Sequence, residues 1–165
     1  IMKITPKILN GMIDIDGFTL HYLVEGAGIP TLVIGSSIYY PRTFSQNLRK
    51  HLQLIFIDHR GFAPSPKNVD VSSYTLDTLV EDIEKIRQHL NIQQCVIIGH
   101  SGHAYMAQAY AKKYPKHVTH LVLIAAGPNQ CPASHAAWPS HPVPERSRSR
   151  GNLSGSGHWL IAIGH

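Results

Sequence analysis

The stretch Gly99-His100-Ser101-Gly102-His103 follows the apolar run 95–98 and precedes a helical pattern that ends at Tyr114-Pro115. A serine between small residues at a strand-to-helix turn is how a sheet presents a nucleophile, because the tight turn keeps the hydroxyl clear of the backbone. The N–H groups that open the helix point at the same space and favour negative charge there. Ser101 is therefore a candidate nucleophile, although short Gly/Ser patterns also arise by chance at ordinary strand–helix turns.

Four continuous apolar runs predict buried parallel strands, because strands covered on both faces lack the polar–apolar alternation of half-exposed ones. They occupy residues 31–34, 54–57, 95–98 and 121–124. Ahead of them, Asp16-Gly17 separates the apolar segments 12–15 and 18–23, which predicts a β-hairpin. The expected fold class is α/β, with an N-terminal hairpin followed by parallel βαβ units and right-handed crossovers.

Three helical patterns lie between the predicted strands. They cover residues 43–52, 76–90 and 102–114. The middle pattern carries an apolar stripe at three- and four-residue spacing, with Thr75 as its expected N-cap and Asn91 as its expected stop. Pro115 ends the last pattern. In open sheets of this kind, ligands bind at the carboxyl ends of the strands, where Ser101 is expected.

Two motifs at the ends of predicted strands carry a resemblance to a known family. Residues 58–65 read Asp-His-Arg-Gly-Phe-Ala-Pro-Ser and are similar to the D-x-R-G-x-G-x-S loop of the α/β-hydrolase family, with Ala63 in place of a glycine. Residues 99–103 match its G-x-S-x-G turn in four of five places, with His103 in place of the last glycine. The resemblance spans about residues 11–127 and implies a truncated α/β-hydrolase-like sheet, whose C-terminal half is missing or replaced.

The resemblance assigns roles residue by residue. Ser101 would be the nucleophile that adds to an ester or amide carbonyl. The N–H of Gly102 would be one donor of the oxyanion hole, and the N–H of Ser36, in the loop after the 31–34 strand, would be the other. Asp58 and Arg60 are expected to be loop scaffolding rather than reacting groups.

The remaining triad members are harder to place, because the family order is Ser, then Asp or Glu, then His. Glu145 is the one carboxylate after Ser101, which makes it the candidate acid. The stretch Ser156-Gly157-His158-Trp159 resembles the surroundings of the family's catalytic histidine, so His158 is the candidate base. The alternative is a chance Gly-His pair, since Gly164-His165 repeats it.

Composition divides the chain into two regions. Residues 1–127 form the expected α/β-hydrolase-like core, which is incomplete. Residues 128–165 are rich in Pro, Gly and Ser and are expected to be a disordered tail without regular structure. The core should then expose the edge of its sheet where further strands belong, which favours self-association.

Charge and cysteine usage restrict the partners. The net charge of +5 permits nucleic-acid contact, but the basic residues are scattered and no nucleic-acid motif is present, so no nucleic-acid partner is expected. Cys95 and Cys131 do not form a disulfide framework, and no signal or membrane-spanning segment is found, which predicts a cytoplasmic protein without membrane contact. The histidine pairs 100/103 and 117/120 lack a third ligand, so neither a metal nor a cofactor is expected.

Two functions remain open from the sequence. The first is a serine hydrolase that cleaves small-molecule esters or amides through Ser101, weak or inactive in this chain because its triad is incomplete. The second is a non-catalytic α/β-hydrolase-like fragment or binding module. A general base within hydrogen-bond reach of Ser101 would distinguish them.

Overall fold

A seven-stranded mixed sheet and two helices form the part of the chain that the computed structural model describes, residues 8–64, 70, 72, 74–125 and the backbone of 159–163. The strands are β1 (Leu9–Ile15), β2 (Phe18–Glu25), β3 (Ile29–Gly35), β4 (Leu52–Asp58), β5 (Cys95–His100), β6 (Val118–Ile124) and β7 (Trp159–Ile163). The helices are α1 (Leu76–His89) and α2 (His103–Lys113). The spatial order of the strands is β1-β2-β4-β3-β5-β6-β7. Neither helix is long and apolar enough to cross a membrane.

The predicted hairpin is confirmed. β1 and β2 pair antiparallel up to Ile15 and Phe18, and the two residues between them both have positive φ, +52° at Asp16 and +83° at Gly17. A two-residue turn of this kind matches the twist of the strands that it joins. β2 then pairs antiparallel with β4, so the hairpin extends one side of the parallel sheet.

The four apolar runs form the predicted parallel strands β3, β4, β5 and β6. β3 lies between β4 and β5, so the next strand in the chain, β4, lies on one side of β3 and the strand after it, β5, lies on the other. The connections therefore diverge at the carboxyl ends of β3 and β5, which is the usual place for a ligand in such a sheet. Leu32 and Ile97 are fully buried under the helices, while Leu54 and Phe56 are buried on the opposite face.

Helix α1 begins and ends as predicted. The Thr78 N–H donates to the Thr75 hydroxyl at 3.1 Å, and Asn91 has the left-handed φ of +54° after the last turn. The helix predicted over residues 43–52 is wrong: within that segment only the single turn Leu48–Lys50 forms, and another single turn, Tyr40–Arg42, precedes it. The Arg49 guanidinium donates to the main-chain carbonyls of Phe44 and Ser45, which a helix would direct to its own N–H groups, and also to the carbonyl of Pro41.

Strand β7 is a second difference from the sequence analysis, which expects no regular structure after residue 127. It pairs parallel with β6, from Trp159 opposite His120 to Ile163 opposite Ile124. The five residues Trp-Leu-Ile-Ala-Ile are aromatic, branched or small and suit a strand beside an otherwise unpaired edge. The edge of β6 is therefore covered. The division into a core of residues 1–127 and a tail of 128–165 stays a prediction.

Candidate active site

Ser101 lies at the turn between β5 and α2, on the edge of the sheet where the parallel strands end. Its φ is +53°, a left-handed value that is uncommon outside glycine, and its side chain is exposed. Its N–H donates to the Ile124 carbonyl at 3.0 Å, which ties the turn to the end of β6. Strained backbone of this kind persists where the surroundings hold it, and here it lifts the hydroxyl out of the sheet.

The turn formed by residues 99–103, called the elbow below, has its tightest packing at Gly99. A Cβ on Gly99 would lie 2.6 Å from the His103 carbonyl oxygen and 2.7 Å from the Ala107 Cβ. A Cβ on Gly102 would meet nothing within 4 Å. The close approach of α2 to the sheet thus depends on Gly99. At position 103, where the sequence pattern calls for glycine, the histidine ring lies against the turn at Gly35.

The loop after β3 contains the proposed second oxyanion donor. Gly35 leaves the strand with a φ of +139°, and the Ser36 hydroxyl then accepts the N–H groups of Ile38 and Tyr39 at 3.3 and 3.0 Å. The Ser37 N–H donates to the Asp58 carboxylate at 2.6 Å and is therefore engaged. Ser36 stays the candidate in this loop. Gly102, the candidate in the elbow, lies at the end of the neighbouring strand β5.

Asp58 and Arg60 hold loops in place, in agreement with the scaffolding role expected from the sequence. Asp58 fixes the loop after β3 through Ser37. The Arg60 guanidinium donates to both carboxylate oxygens of Asp82 at 2.7 Å, and its carbon lies 4.8 Å from the centre of the Phe18 ring. Both members of the Arg60–Asp82 pair are 2% exposed, so this ion pair joins the loop after β4 to helix α1 inside the core.

Three histidines and a tyrosine form a network beside the elbow that sequence reasoning missed. The Tyr40 hydroxyl lies 3.1 Å from Nδ1 of His100 and 3.1 Å from Nδ1 of His103. The Nε2 atoms of His103 and His59 are 3.3 Å apart. These four residues, called the histidine–tyrosine network below, come from three separate segments; the sequence shows only the spacing of His100 and His103, and nothing local indicates Tyr40 or His59.

Burial sets the ionisation of the network. It lowers the pKa of His59 from its ordinary 6.5 to about 4, and the neighbouring His103 adds to this effect, while the charge of Asp58 opposes it. Burial also lowers the pKa of His103. Both rings are therefore uncharged at neutral pH. Among the described residues, no group of three His, Cys, Asp or Glu side chains could hold a metal ion.

His158 and Glu145, the candidate base and acid, lie outside the described residues. The pairing of β7 gives the geometry of the nearest described backbone. Trp159 pairs with His120, near the start of β6, whereas Ile163 pairs with Ile124, whose carbonyl accepts the Ser101 N–H. The first residue of β7 thus lies at the end of the sheet away from Ser101, and its last residue lies at the same end as Ser101.

The order of the strands, the elbow and the loop after β3 define an α/β-hydrolase sheet. Residues 27–146 match the family model of the alpha/beta hydrolase fold, and the chain belongs to this family.

The chain is 44% identical over 119 residues to the AB hydrolase superfamily protein YclE of Bacillus subtilis (strain 168), covering 72% of this chain and 42% of that protein. It is 31% identical over 120 residues to a proline iminopeptidase of Heyndrickxia coagulans, covering 68% and 41%. It is 29% identical over 130 residues to epoxide hydrolase 3 of Mus musculus, covering 76% and 35%.

Solved structures agree on the fold. The epoxide hydrolase CorEH superimposes with a TM-score of 0.63 at 22% identity, covering 74% of this chain and 44% of that one. The thioesterase domain from the curacin biosynthetic pathway gives a TM-score of 0.62 at 20% identity, covering 73% and 45%. The chain therefore spans less than half the length of each of these relatives and solved structures.

Proposed function

We propose that the protein is a serine hydrolase that cleaves small-molecule esters or amides by acyl transfer through Ser101. The observation that carries this proposal is the position of Ser101, exposed and at positive φ between β5 and α2 of an α/β-hydrolase sheet. Among its relatives are proteins named for hydrolytic activity, an epoxide hydrolase and a proline iminopeptidase. A serine at this turn favours acyl transfer, because its hydroxyl can form an ester intermediate.

The proposed reaction has two steps. The Ser101 oxygen adds to the substrate carbonyl and loses its proton to a base, while the N–H groups of Gly102 and Ser36 donate to the oxygen that becomes negative. The C–O or C–N bond of the substrate then breaks, and the alcohol or amine departs with the proton. Water hydrolyses the resulting acyl-serine ester and regenerates the hydroxyl. We propose His158 and Glu145 as the base and the acid; Trp159, the neighbour of His158 in sequence, pairs with His120 at the end of the sheet away from Ser101, and this separation is one reason why we expect weak activity.

We propose that the 165-residue chain itself is weak or inactive. Among the described residues, none hydrogen-bonds the Ser101 side chain. A serine hydroxyl at its ordinary pKa is a poor nucleophile, and without base and acid about 10³–10⁴-fold acceleration over water can remain from the oxyanion hole and substrate binding.

A non-catalytic binding module is the second candidate function. It is favoured by the bonding of the nearest histidines: His100 and His103 pair with Tyr40 rather than with the candidate nucleophile. In that case the carboxyl ends of β3 and β5 would bind a small molecule without transforming it. A buried, free Cys95 is in keeping with the cytoplasmic location that we infer. Self-association through a sheet edge stays a proposal.

Active-site labelling tests the proposal. We expect a fluorophosphonate probe to react slowly with the purified chain, with the adduct on Ser101, and not to react with the Ser101→Ala variant. Turnover of p-nitrophenyl acetate should stay close to background. Equal labelling of both proteins would rule out Ser101 as the nucleophile. Fast turnover that is lost in both Ser101→Ala and His158→Ala would overturn the proposal of a weak enzyme and would show that the chain has a complete triad.

A further inference from the structure

The histidine–tyrosine network connects the three loops that surround Ser101. Tyr40 belongs to the loop after β3, His59 to the loop after β4, and His103 to the elbow. The network ends on the main chain, where the Gly61 N–H donates to His59 Nδ1 at 3.1 Å. A Cβ on Gly35 would lie 2.6 Å from the Tyr40 ring and 2.8 Å from the His103 ring, so both rings pack closely over the turn that leaves β3.

The position of each proton in the network follows from this single main-chain donor. Because the Gly61 N–H can only donate, His59 Nδ1 accepts, and the His59 proton is on Nε2. His59 then donates to His103 Nε2, which places the His103 proton on Nδ1. His103 donates in turn to the Tyr40 oxygen, and the Tyr40 hydroxyl donates to His100 Nδ1. All the bonds run in one direction.

A charged imidazole would break this arrangement. A second proton on His59 would occupy Nδ1 and face the Gly61 N–H, and a second proton on His103 would occupy Nε2 and face His59. Asp58 favours the charged form of His59, whereas burial opposes it, with the larger effect. The other groups against the two rings are Tyr40, His100 and Phe62, none of which bears a carboxylate.

We propose that Tyr40 and His103 are positioning residues, which hold the loop 36–40 against the Ser101 elbow as long as the imidazoles of the network are uncharged. The inference rests on the proposed function, because it concerns the distance between the nucleophile and the Ser36 N–H. It assigns a role to His103, the residue that departs from the family pattern. A displacement of about 1 Å between such groups can cost about 10²-fold in rate.

Nitrogen NMR of the imidazole rings tests the network without requiring activity. In the ¹⁵N-labelled full chain, we expect His59 to be protonated on Nε2 and His103 on Nδ1, each as one neutral tautomer. Tyr40→Phe keeps the ring but removes the hydroxyl, and should return His103 and His100 to mixed tautomers. Tyr39→Phe, at the exposed neighbouring tyrosine, should change nothing. Mixed tautomers in the unmodified chain, or titration of His103 at an ordinary pKa, would refute the network.

Labelling rates test the positioning role. At about pH 8, where histidines are uncharged, Tyr40→Phe should slow fluorophosphonate labelling of Ser101 by at least about tenfold. The Tyr39→Phe control should stay within about twofold of the unmodified chain. Equal rates for all three proteins, with the tautomers as assigned, would overturn the positioning role. If Ser101 is not labelled in any of them, the proposed function fails, and the tautomers still decide whether the network exists.

Discussion

The carboxylate of Asp58 accepts the main-chain N–H of Ser37 at a distance of 2.6 Å, and both residues are buried. Asp58 is the last residue of β4, whereas Ser37 belongs to the loop after β3. The end of one strand thus fixes the loop that follows its neighbour. Because this loop contains the Ser36 N–H, the bond bears on the candidate oxyanion site as well as on stability.

Removal of the Asp58 acceptor should loosen this loop. We expect Asp58→Ala to lower the free energy of unfolding by about 1–3 kcal/mol, because the Ser37 N–H is left buried without a partner. Asp58→Asn retains a carbonyl acceptor and should lose less than half of that. Asp70→Ala, at an exposed aspartate that accepts the Ser72 N–H at 2.9 Å, is the control. Urea denaturation measures all three, and equal losses for Ala and Asn would mean that the bond itself is unimportant.

The two elbow glycines should respond differently to the same substitution. Gly99→Ala places a methyl group against α2 and should cost about 1–3 kcal/mol of stability by overpacking. Gly102→Ala meets open space at a φ of −56° and should be neutral within about 0.5 kcal/mol. Thermal unfolding of both variants compares them directly. A larger loss for Gly102→Ala would contradict the elbow packing described above.

Backbone strain at Ser101 predicts a stabilising substitution. A residue with a Cβ in the left-handed region costs about 1–2 kcal/mol. Glycine avoids this cost, but part of the gain is lost because glycine gives the unfolded chain more conformational entropy. We therefore expect Ser101→Gly to raise the free energy of unfolding by about 0.5–1 kcal/mol. Ser101→Ala retains the Cβ and should leave it unchanged. If both variants are equally stable, the strain is not carried by φ at this position.

The buried Arg60–Asp82 pair should matter far more than an exposed pair. Asp82→Ala leaves the Arg60 guanidinium without its main partner at 2% exposure, which should cost about 3–5 kcal/mol. Asp77→Ala removes the exposed ion pair with Lys113 and should cost at most about 1 kcal/mol. Chemical denaturation gives both values. Comparable losses would show that burial does not set the strength of these pairs.

Stability should fall with acidity in a defined window. The pKa of His59 is about 4 in the folded protein against 6.5 ordinarily, so between these values the unfolded state binds more protons. The free energy of unfolding should therefore be level above about pH 6.5 and decline from there towards pH 4. His59→Gln should reduce this slope, whereas His51→Gln, at an exposed histidine, should not. A slope unchanged by His59→Gln would assign the pH dependence elsewhere.

Local patterns predicted those parts of the structure that local forces determine. The Asp16-Gly17 turn and the Thr75 cap each depend on neighbours within a few residues, and each formed where expected. The apolar run 95–98 predicted a strand from its composition alone, but its partners β3 and β6 are distant in sequence. The segment 43–52 did not become a helix, and its Phe44 and Ser45 carbonyls are bound by the Arg49 side chain instead. Strand β7 depends on the free edge of β6, which is distant in sequence.

The candidate site shows the same difference between features that depend on local sequence and features that depend on distant residues. Ser101 could be found because its turn has a recognisable spacing. The bond between His59 and His103 joins residues 44 positions apart, and the pattern of either segment contains no sign of the other. Even His103, which stands out as a departure from the family, could be interpreted only once the side chains around it were known.

The tight packing of Gly99 has an evolutionary consequence. The approach of α2 to the sheet is determined at position 99, whereas the His103 ring contacts Tyr40, His59 and the turn at Gly35. Substitutions at 103 should therefore act first on the loops around Ser101, and substitutions at 99 on the packing of the whole fold. A saturation library at codon 103 should mainly change the reactivity of Ser101, whereas the same library at codon 99 should mainly lower the yield of folded protein, so the two positions separate selection for chemistry from selection for foldability.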